Sequence, residues 1–401
     1  MKTFLKKIFN YLNIEIKRKE FDIHQDGFIS LKTDREIKGY VLLGNIIEPF
    51  LGEDGFTISN THTHFYESVQ IAKTFKELGF CVDVISYKNN KFIPERKYDI
   101  YFASRTNMQR IAELLPDDCI KIVHLDMAHW LFNNTAAMKR CLAIQNRRKV
   151  TLPLKSKIQE HNWAIEYADY ATIKGNEFAQ NTYKYAKKPI FRTNIPTYAT
   201  YQFPGNKDYN GCRNNFVWFG SRGLIHKGLD LVLEAFAQMP EYNLTVCGPI
   251  DGEKEFVQAY YNELYRTKNI NTIGWVDVES ENFTRVMDNS IALVFPSCSE
   301  GGGGSVATCM QTGIIPIISY ESAIDISDSY GILLKESSIT EIQDAVRNIS
   351  RKSSDTLKEM TYNSWKYARE NHTREVFAEQ LREVIVHILN TDSRIRNYKK
   401  S

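Results

Sequence analysis

Two α/β domains, each a doubly wound parallel sheet with helices on both faces and a ligand cleft between them, are the fold this sequence predicts. Three observations carry that expectation. Short apolar runs alternate with helix-periodic stretches over most of the chain. Its 401 residues exceed what one ordinary core holds. A stretch rich in proline, glycine and asparagine, 191–215, separates two such series and reads as a linker.

Residues 40–45 (Tyr-Val-Leu-Leu-Gly-Asn) read as a first buried strand, followed by a polar, glycine-containing stretch. From His64 the pattern turns helical, with Val69, Ala72, Phe75 and Leu78 apolar, and Gly79 supplies the stop. Strands follow at 81–86, 98–103, 120–124 and 170–173. Beyond the linker come strand 216–219, helix 228–238, strand 244–247, helix 253–267 and strand 271–273. Helix 281–289 and strand 291–295 lead into a glycine-rich segment. Strands at 314–318 and 331–334 then precede helices at 340–350 and 355–390. The expected organisation is a basic segment at 1–34, a first domain at 35–200, a second at 201–354 and terminal helices at 355–401.

The bulk composition removes several function classes. A formal charge of +3 gives no ground for a nucleic-acid partner. Seven cysteines, odd in number and without CxxC or Cys/His spacing, read as reduced thiols of a cytoplasmic protein. No apolar run approaches the ~18 residues of a spanning helix, and the N-terminus lacks a signal peptide's apolar core and cleavage site. Instead Phe4, Leu5, Ile8, Phe9 and Leu12 recur at helical spacing among Lys2, Lys6, Lys7, Lys17, Arg18 and Lys19. A basic amphipathic helix over residues 1–20 suits an anionic membrane surface and peripheral attachment to the inner face of the cell membrane. A terminal helix packed on its own domain has the same pattern.

The chemistry concentrates at 297–316, where an apolar run ends at Pro296, Glu300 follows, and four glycines run from Gly301 to Gly304. A glycine turn opening a helix presents free backbone N–H groups at the positive end of the helix dipole, a ready phosphate site. An acid beside it makes sense if the ligand also carries hydroxyls, as a nucleotide-sugar does. Upstream, Phe219-Gly-Ser-Arg-Gly-Leu-Ile-His-Lys-Gly228 puts Arg222 and Lys227 in the loop after the second domain's first strand. Both cations suit phosphate oxygens, although a solvated βα loop often has this composition.

Four segments in order carry a resemblance. They are Gly-Ser-Arg-x4-Lys-Gly (220–228), Leu-Thr-Val-Cys-Gly (244–248), Ile-Gly-Trp-Val (273–276), and Phe-Pro-Ser-x-Ser-Glu-Gly through Gly313 (295–313). Over about 213–390 the chain resembles the retaining glycosyltransferases of GT-B fold in the large group 1 family, whose two Rossmann-like domains face across a cleft. The N-terminal half matches by architecture alone. The resemblance implies an enzyme, a metal-independent hexosyltransferase-like glycosyltransferase with no cofactor, whose nucleotide-diphospho-sugar is a co-substrate. It implies a glycan or lipid-linked acceptor and polysaccharide biosynthesis as the setting. Arg222 and Lys227 would bind the donor diphosphate, and Glu300 would accept from donor-sugar hydroxyls. Gly301, Gly302, Gly303, Gly304, Gly220, Ser221, Ser305 and Thr308 would line the donor. The helix at 355–390 would cross back to brace the first domain.

One departure stands out. The family has a second glutamate eight residues after the first, on the ribose hydroxyls, and here that position is Thr308. A hydroxyl cannot take both ribose hydroxyls as a carboxylate does. The missing charge-assisted bond, about 1.5–3 kcal/mol, weakens donor binding by roughly one to two decades unless something compensates. Glu321 is one candidate substitute.

In the first domain His124 ends a strand, where relatives often place a histidine on the donor sugar, and His129 stands five residues on. Asp126 is suited to orient a histidine or to cap the next helix. His62 and His64 replace the glycine-rich loop that many relatives carry after their first strand. Two histidines without a third ligand make a poor metal site, so an acceptor-side loop, or a helix cap at Asn60 or Thr61, is the reading. Trp130 and Phe132 suit stacking on an acceptor sugar or core packing. The expected activity is sugar transfer with retention by front-face displacement. A catalytically silent binding or scaffold subunit and a GT-B sugar phosphorylase are the rivals.

Overall fold

The computed structural model describes residues 21–52, 56–59 and 62–395. The amphipathic segment at 1–20 and the cap expected at Asn60 or Thr61 lie outside the described residues.

The first sheet has seven strands, β1 (Phe28–Leu31), β2 (Gly39–Asn45), β3 (Phe80–Ser86), β4 (Ile100–Ser104), β5 (Ile120–Leu125), β6 (Tyr170–Lys174) and β7 (Ile190–Thr193). Their order is β1-β3-β2-β4-β5-β6-β7, all parallel except β1, which pairs antiparallel with β3. Alternation along β2 sends Val41 and Leu43 into one core and Leu42 into another on the opposite face. Both faces are buried, as a parallel sheet requires. The helix His64–Glu77 follows β2 and ends where Gly79 turns at φ 96°.

The second sheet comprises β8 (Asn215–Phe219), β9 (Asn243–Cys247), β10 (Ile270–Gly274), β11 (Ala292–Phe295), β12 (Ile315–Ser319) and β13 (Ile332–Leu334). It is wholly parallel, in the order β10-β9-β8-β11-β12-β13. Numbered within the domain this is 3-2-1-4-5-6, the doubly wound order whose direction reverses between β8 and β11. The loops leaving these two neighbours therefore emerge side by side, which brings 220–228 against 296–303.

Several expectations need correction. The supposed linker contains β7 and a short helix, Tyr209–Cys212. The segment before residue 35 contains β1, too short to show a period. The helix expected at 253–267 is two pieces, Lys254–Ala259 and Tyr261–Tyr265. The terminal helix is also two, Ser354–Asn371 and Arg374–Thr391, parted where Thr373 leaves helical geometry and caps the second by accepting from Val376 N.

Two exchanges join the domains. Phe377, Leu381, Ile385, Ile388 and Leu389 of the last helix sit in the first domain's core, beside Val69 and Phe75 of the His64–Glu77 helix. At about 2 kcal/mol per buried side chain they contribute on the order of 10 kcal/mol as an upper bound. Conversely, Ile144 of the helix Trp130–Arg148, and Leu152 just after it, belong to the second domain's core. Arg147 of that helix reaches Asp230 at 2.7 Å and Glu234 at 3.0 Å, while Arg140 Nη2 donates to Pro296 O at 2.6 Å. Arg148 pairs with Glu263 and stacks on Tyr260, 4.4 Å from its ring centroid.

Candidate active site

The two adjacent loops of the second domain are locked by a buried ion pair. Lys227 Nζ donates to Glu300 Oε1 at 2.5 Å, and Ser297 Oγ donates to the same oxygen at 3.1 Å. His226 O accepts from Cys298 N at 2.9 Å, and its ring Nε2 bonds Ser299 O. Burial alone would raise the Glu300 carboxyl, but Lys227, with Lys157 and His226, holds it at about 2. Burial lowers the Lys227 ammonium, and Glu300 opposes the shift. The Glu300 carboxylate is therefore charged at neutral pH. Glu300 Oε2 takes part in none of the described hydrogen bonds and lies on a residue that lines the cleft. Arg222 is exposed at the lip of the same loop. Glu253 accepts from Gly223 N at 2.5 Å and from Leu224 N at 3.2 Å, so these loop amides are already engaged.

The glycine run has a second cause besides ligand binding. A Cβ on Gly301 would lie 2.0 Å from Asp126 O, so the first domain's backbone packs directly on it. Gly303, at φ 61°, caps the helix Gly304–Met310 with no side chain to offer. Thr308 lines the cleft, yet its hydroxyl donates to Gly304 O at 2.8 Å. Glu321 is half-buried in a 3-10 turn and is not among the residues lining the cleft.

Across the cleft stands a buried polar cluster that sequence reading did not reveal. Glu67, 1% exposed, pairs through Oε2 with Lys174 Nζ at 2.8 Å, His124 Nε2 at 3.4 Å and His64 Nε2 at 3.8 Å. Burial pushes the Glu67 carboxyl up, but Lys174, then the histidines, bring it well below the ordinary range. His124 Nδ1 meets Thr172 Oγ1 at 2.7 Å. Burial holds the His124 ring below its usual range against Glu67's pull, which keeps it neutral. His124 thus sits under the cleft floor rather than in its wall, because the last turn of β5 faces the core there. His129 also leaves the site. It caps the helix Trp130–Arg148 by accepting from Leu131 N, and its Nε2 meets Tyr185 OH at 3.1 Å. Asp126 pairs with Arg105.

The cleft between the two sheets' C-terminal edges encloses about 640 Å³. Its walls bring together His62, His64, Gly220, Ser221, Arg222, Lys227, Glu300, Gly301, Gly302, Gly303, Gly304, Ser305 and Thr308. To these the structure adds Lys157, Lys174, Tyr198 and the 61% exposed Trp275. Lys174 was one residue past a predicted strand, the place where sheets of this class present ligand groups. Lys157 lies in the patternless 149–163 stretch. The His62 and His64 rings stand 4.2 Å apart, and among the described residues no group of three His, Cys, Asp or Glu could hold a metal ion. No helix among the described residues is long and apolar enough to cross a membrane. All seven cysteines are free thiols.

Residues 211–367 match the family model of glycosyl transferases group 1. That match lies within the second domain. It spans both loops of the ion pair and the glycine run. The whole chain is similar in fold to HepE of Anabaena, solved with UDP and glucose, at 11% identity and TM-score 0.54, covering 88% of this chain and 100% of that one. It is similar to a sucrose-phosphate synthase of Thermosynechococcus elongatus at 13% identity and TM-score 0.60, again over 88% and 100%. TarM of S. aureus aligns over 75% of this chain and 57% of its own, at 12% identity and TM-score 0.52. No curated protein matches by sequence. The chain has the two-domain GT-B fold.

Proposed function

We propose that this protein is a glycosyltransferase that moves a sugar from a nucleoside-diphosphate donor to a hydroxyl of a glycan or glycolipid, with retention at the anomeric carbon, in bacterial surface-polysaccharide synthesis. The observation that carries the reading is the convergence of Arg222, Lys227, Glu300 and the glycine run on one cleft. Arg222 offsets charge that grows on the departing diphosphate, where electrostatic stabilisation counts most, and Lys227, already paired with Glu300, adds less. Glu300 Oε2 accepts from sugar hydroxyls while Lys227 fixes the carboxylate through Oε1. In the front-face route the anomeric carbon–phosphate oxygen bond breaks and the acceptor oxygen bonds the same face. The acceptor proton passes to the leaving phosphate. No step is assigned to a metal, because side-chain cations stand where charge develops. HepE solved with UDP and glucose, and a TarM variant solved with UDP and alpha-GlcNAc-glycerol, support a nucleotide-sugar chemistry. The N-terminal residues 1–20 would hold the protein on an anionic membrane; their deletion should abolish flotation with anionic liposomes.

Thermal stabilisation across UDP, GDP, ADP, CMP and dTDP tests the donor assignment. A ligand at 100 times its Kd adds about 2.7 kcal/mol, so a flat panel would sink it. Thr308 is the one feature favouring a silent binding subunit. Sugar release from the matching donor, lost in Arg222→Ala, separates enzyme from scaffold.

A further inference from the structure

The four cations lining the cleft are not equivalent. Lys227 is committed to Glu300 and Lys174 to Glu67, each in a buried ion pair. Arg222 and Lys157 form no ion pair with the described residues. A sugar diphosphate carries one negative charge on each phosphoryl group and gains more as it leaves. Cations already neutralised by carboxylates answer that charge least.

Lys157 reaches this place from the first domain, and its position is built. Its φ of 66° is left-handed, which L side chains avoid and which recurs at functional positions. Asn133, fully buried on the helix Trp130–Arg148, holds it by donating Nδ2 to Lys157 O at 2.7 Å. Asn134 clamps the next residues, donating to Gln159 O at 2.8 Å and accepting from Gln159 N at 3.0 Å. The lysine side chain then runs over the loop that carries Arg222, where a Cβ on Gly223 would lie 2.6 Å from Lys157 Cγ. The helix that supports this arm is itself docked on the second domain through Arg140 and Arg147.

Resting on the donor assignment above, we propose that Lys157 binds the donor diphosphate from the first domain's side, completing with Arg222 the pair of uncommitted cations. The charge of Lys157 lowers both the Lys227 ammonium and the Glu300 carboxyl, so it lies within electrostatic reach of their ion pair.

The test titrates the nucleoside diphosphate that stabilises the wild type most, with its parent nucleoside as a phosphate-free probe. The proteins are the wild type, Lys157→Gln, Lys157→Gly, Lys157→Arg and Arg222→Ala. Losing a charge-assisted contact should weaken diphosphate binding about tenfold in Lys157→Gln and Lys157→Gly. Nucleoside affinity should not change, and Lys157→Arg should restore most of the loss. Glycine relaxes the left-handed backbone, so Lys157→Gly should melt no lower than the wild type while still binding worse. Wild-type diphosphate affinity in Lys157→Gln, beside a weakened Arg222→Ala, overturns the proposal and leaves the donor site standing. Equal loss of nucleoside and diphosphate affinity also overturns it, because the role is then structural. If no nucleoside diphosphate binds the wild type, donor assignment and proposal fall together.

Discussion

Replacing Lys227 by alanine should destabilise the second domain by about 3–5 kcal/mol at neutral pH, the usual result of stripping one partner from a buried ion pair. The structure sets the magnitude at the upper end of mutational effects. The two side chains are only 4% and 11% exposed, so water does not screen the orphaned Glu300. In the wild type the Glu300 carboxyl, held at about 2, lies below its unfolded value. Its contribution is therefore fully present above pH about 4.5 and is lost as pH falls towards 2. In the variant, burial is no longer opposed by Lys227 and the carboxyl rises. Lowering the pH from about 7 to about 5 then lets Glu300 protonate, and the gap between variant and wild type should narrow. Urea unfolding followed by circular dichroism at the two pH values measures that gap. The Lys227→Ala/Glu300→Leu double variant should recover most of the loss. A gap under about 1 kcal/mol at neutral pH, or a double variant no more stable than the single, refutes the reasoning.

Three further outcomes are expected. Gly301→Ala places a Cβ 2.0 Å from Asp126 O, a backbone atom of the other domain that cannot yield. Small-angle scattering should show a larger radius of gyration and donor affinity should drop at least tenfold; a compact variant with normal affinity contradicts the packing. Thr308→Glu restores a carboxylate on the cleft wall and should raise nucleoside-diphosphate affinity by about one decade by calorimetry; no gain removes the ribose from that helix. Burial depresses His226 to about 3 and His372 to about 4. Both are protonated first in the unfolded chain, so folded stability falls as pH drops below about 6.5, by about 2 kcal/mol each at pH 5. Equal urea midpoints at pH 7 and pH 5 in the wild type would contradict this.

The second domain was legible because its chemistry is local. Glu300, Arg222 and Lys227 stand in loops that directly follow strands, and their spacing announces the βα turn. The adjacency of β8 and β11 then forces them together. The first domain's share was hidden because it depends on pairings far apart in sequence. Glu67, Lys174 and His124 come from one helix and two strands, and no local pattern distinguishes a buried carboxylate from one on a solvated helix face. His124 misled for a related reason: a strand end faces either the cleft or the core beneath it, and only the register decides. The glycine run was read as a ligand feature, yet Gly301 also answers a steric demand from Asp126, a contact between domains that composition does not record.

The last helix has a consequence for the birth of the protein. The hydrophobic face of the first sheet receives Phe377, Leu381, Ile385, Ile388 and Leu389 from the far end of the chain. About 180 residues separate the end of β7 from that helix. At translation rates of roughly 5–20 residues/s, the nascent first domain waits on the order of 10–40 s with that face uncovered. During the same interval the arm from Trp130 to Leu152 has no second core to enter. A stop codon ahead of the final helix would therefore leave a chain whose catalytic loops are complete but whose earliest-made sheet is exposed to chaperones and proteases.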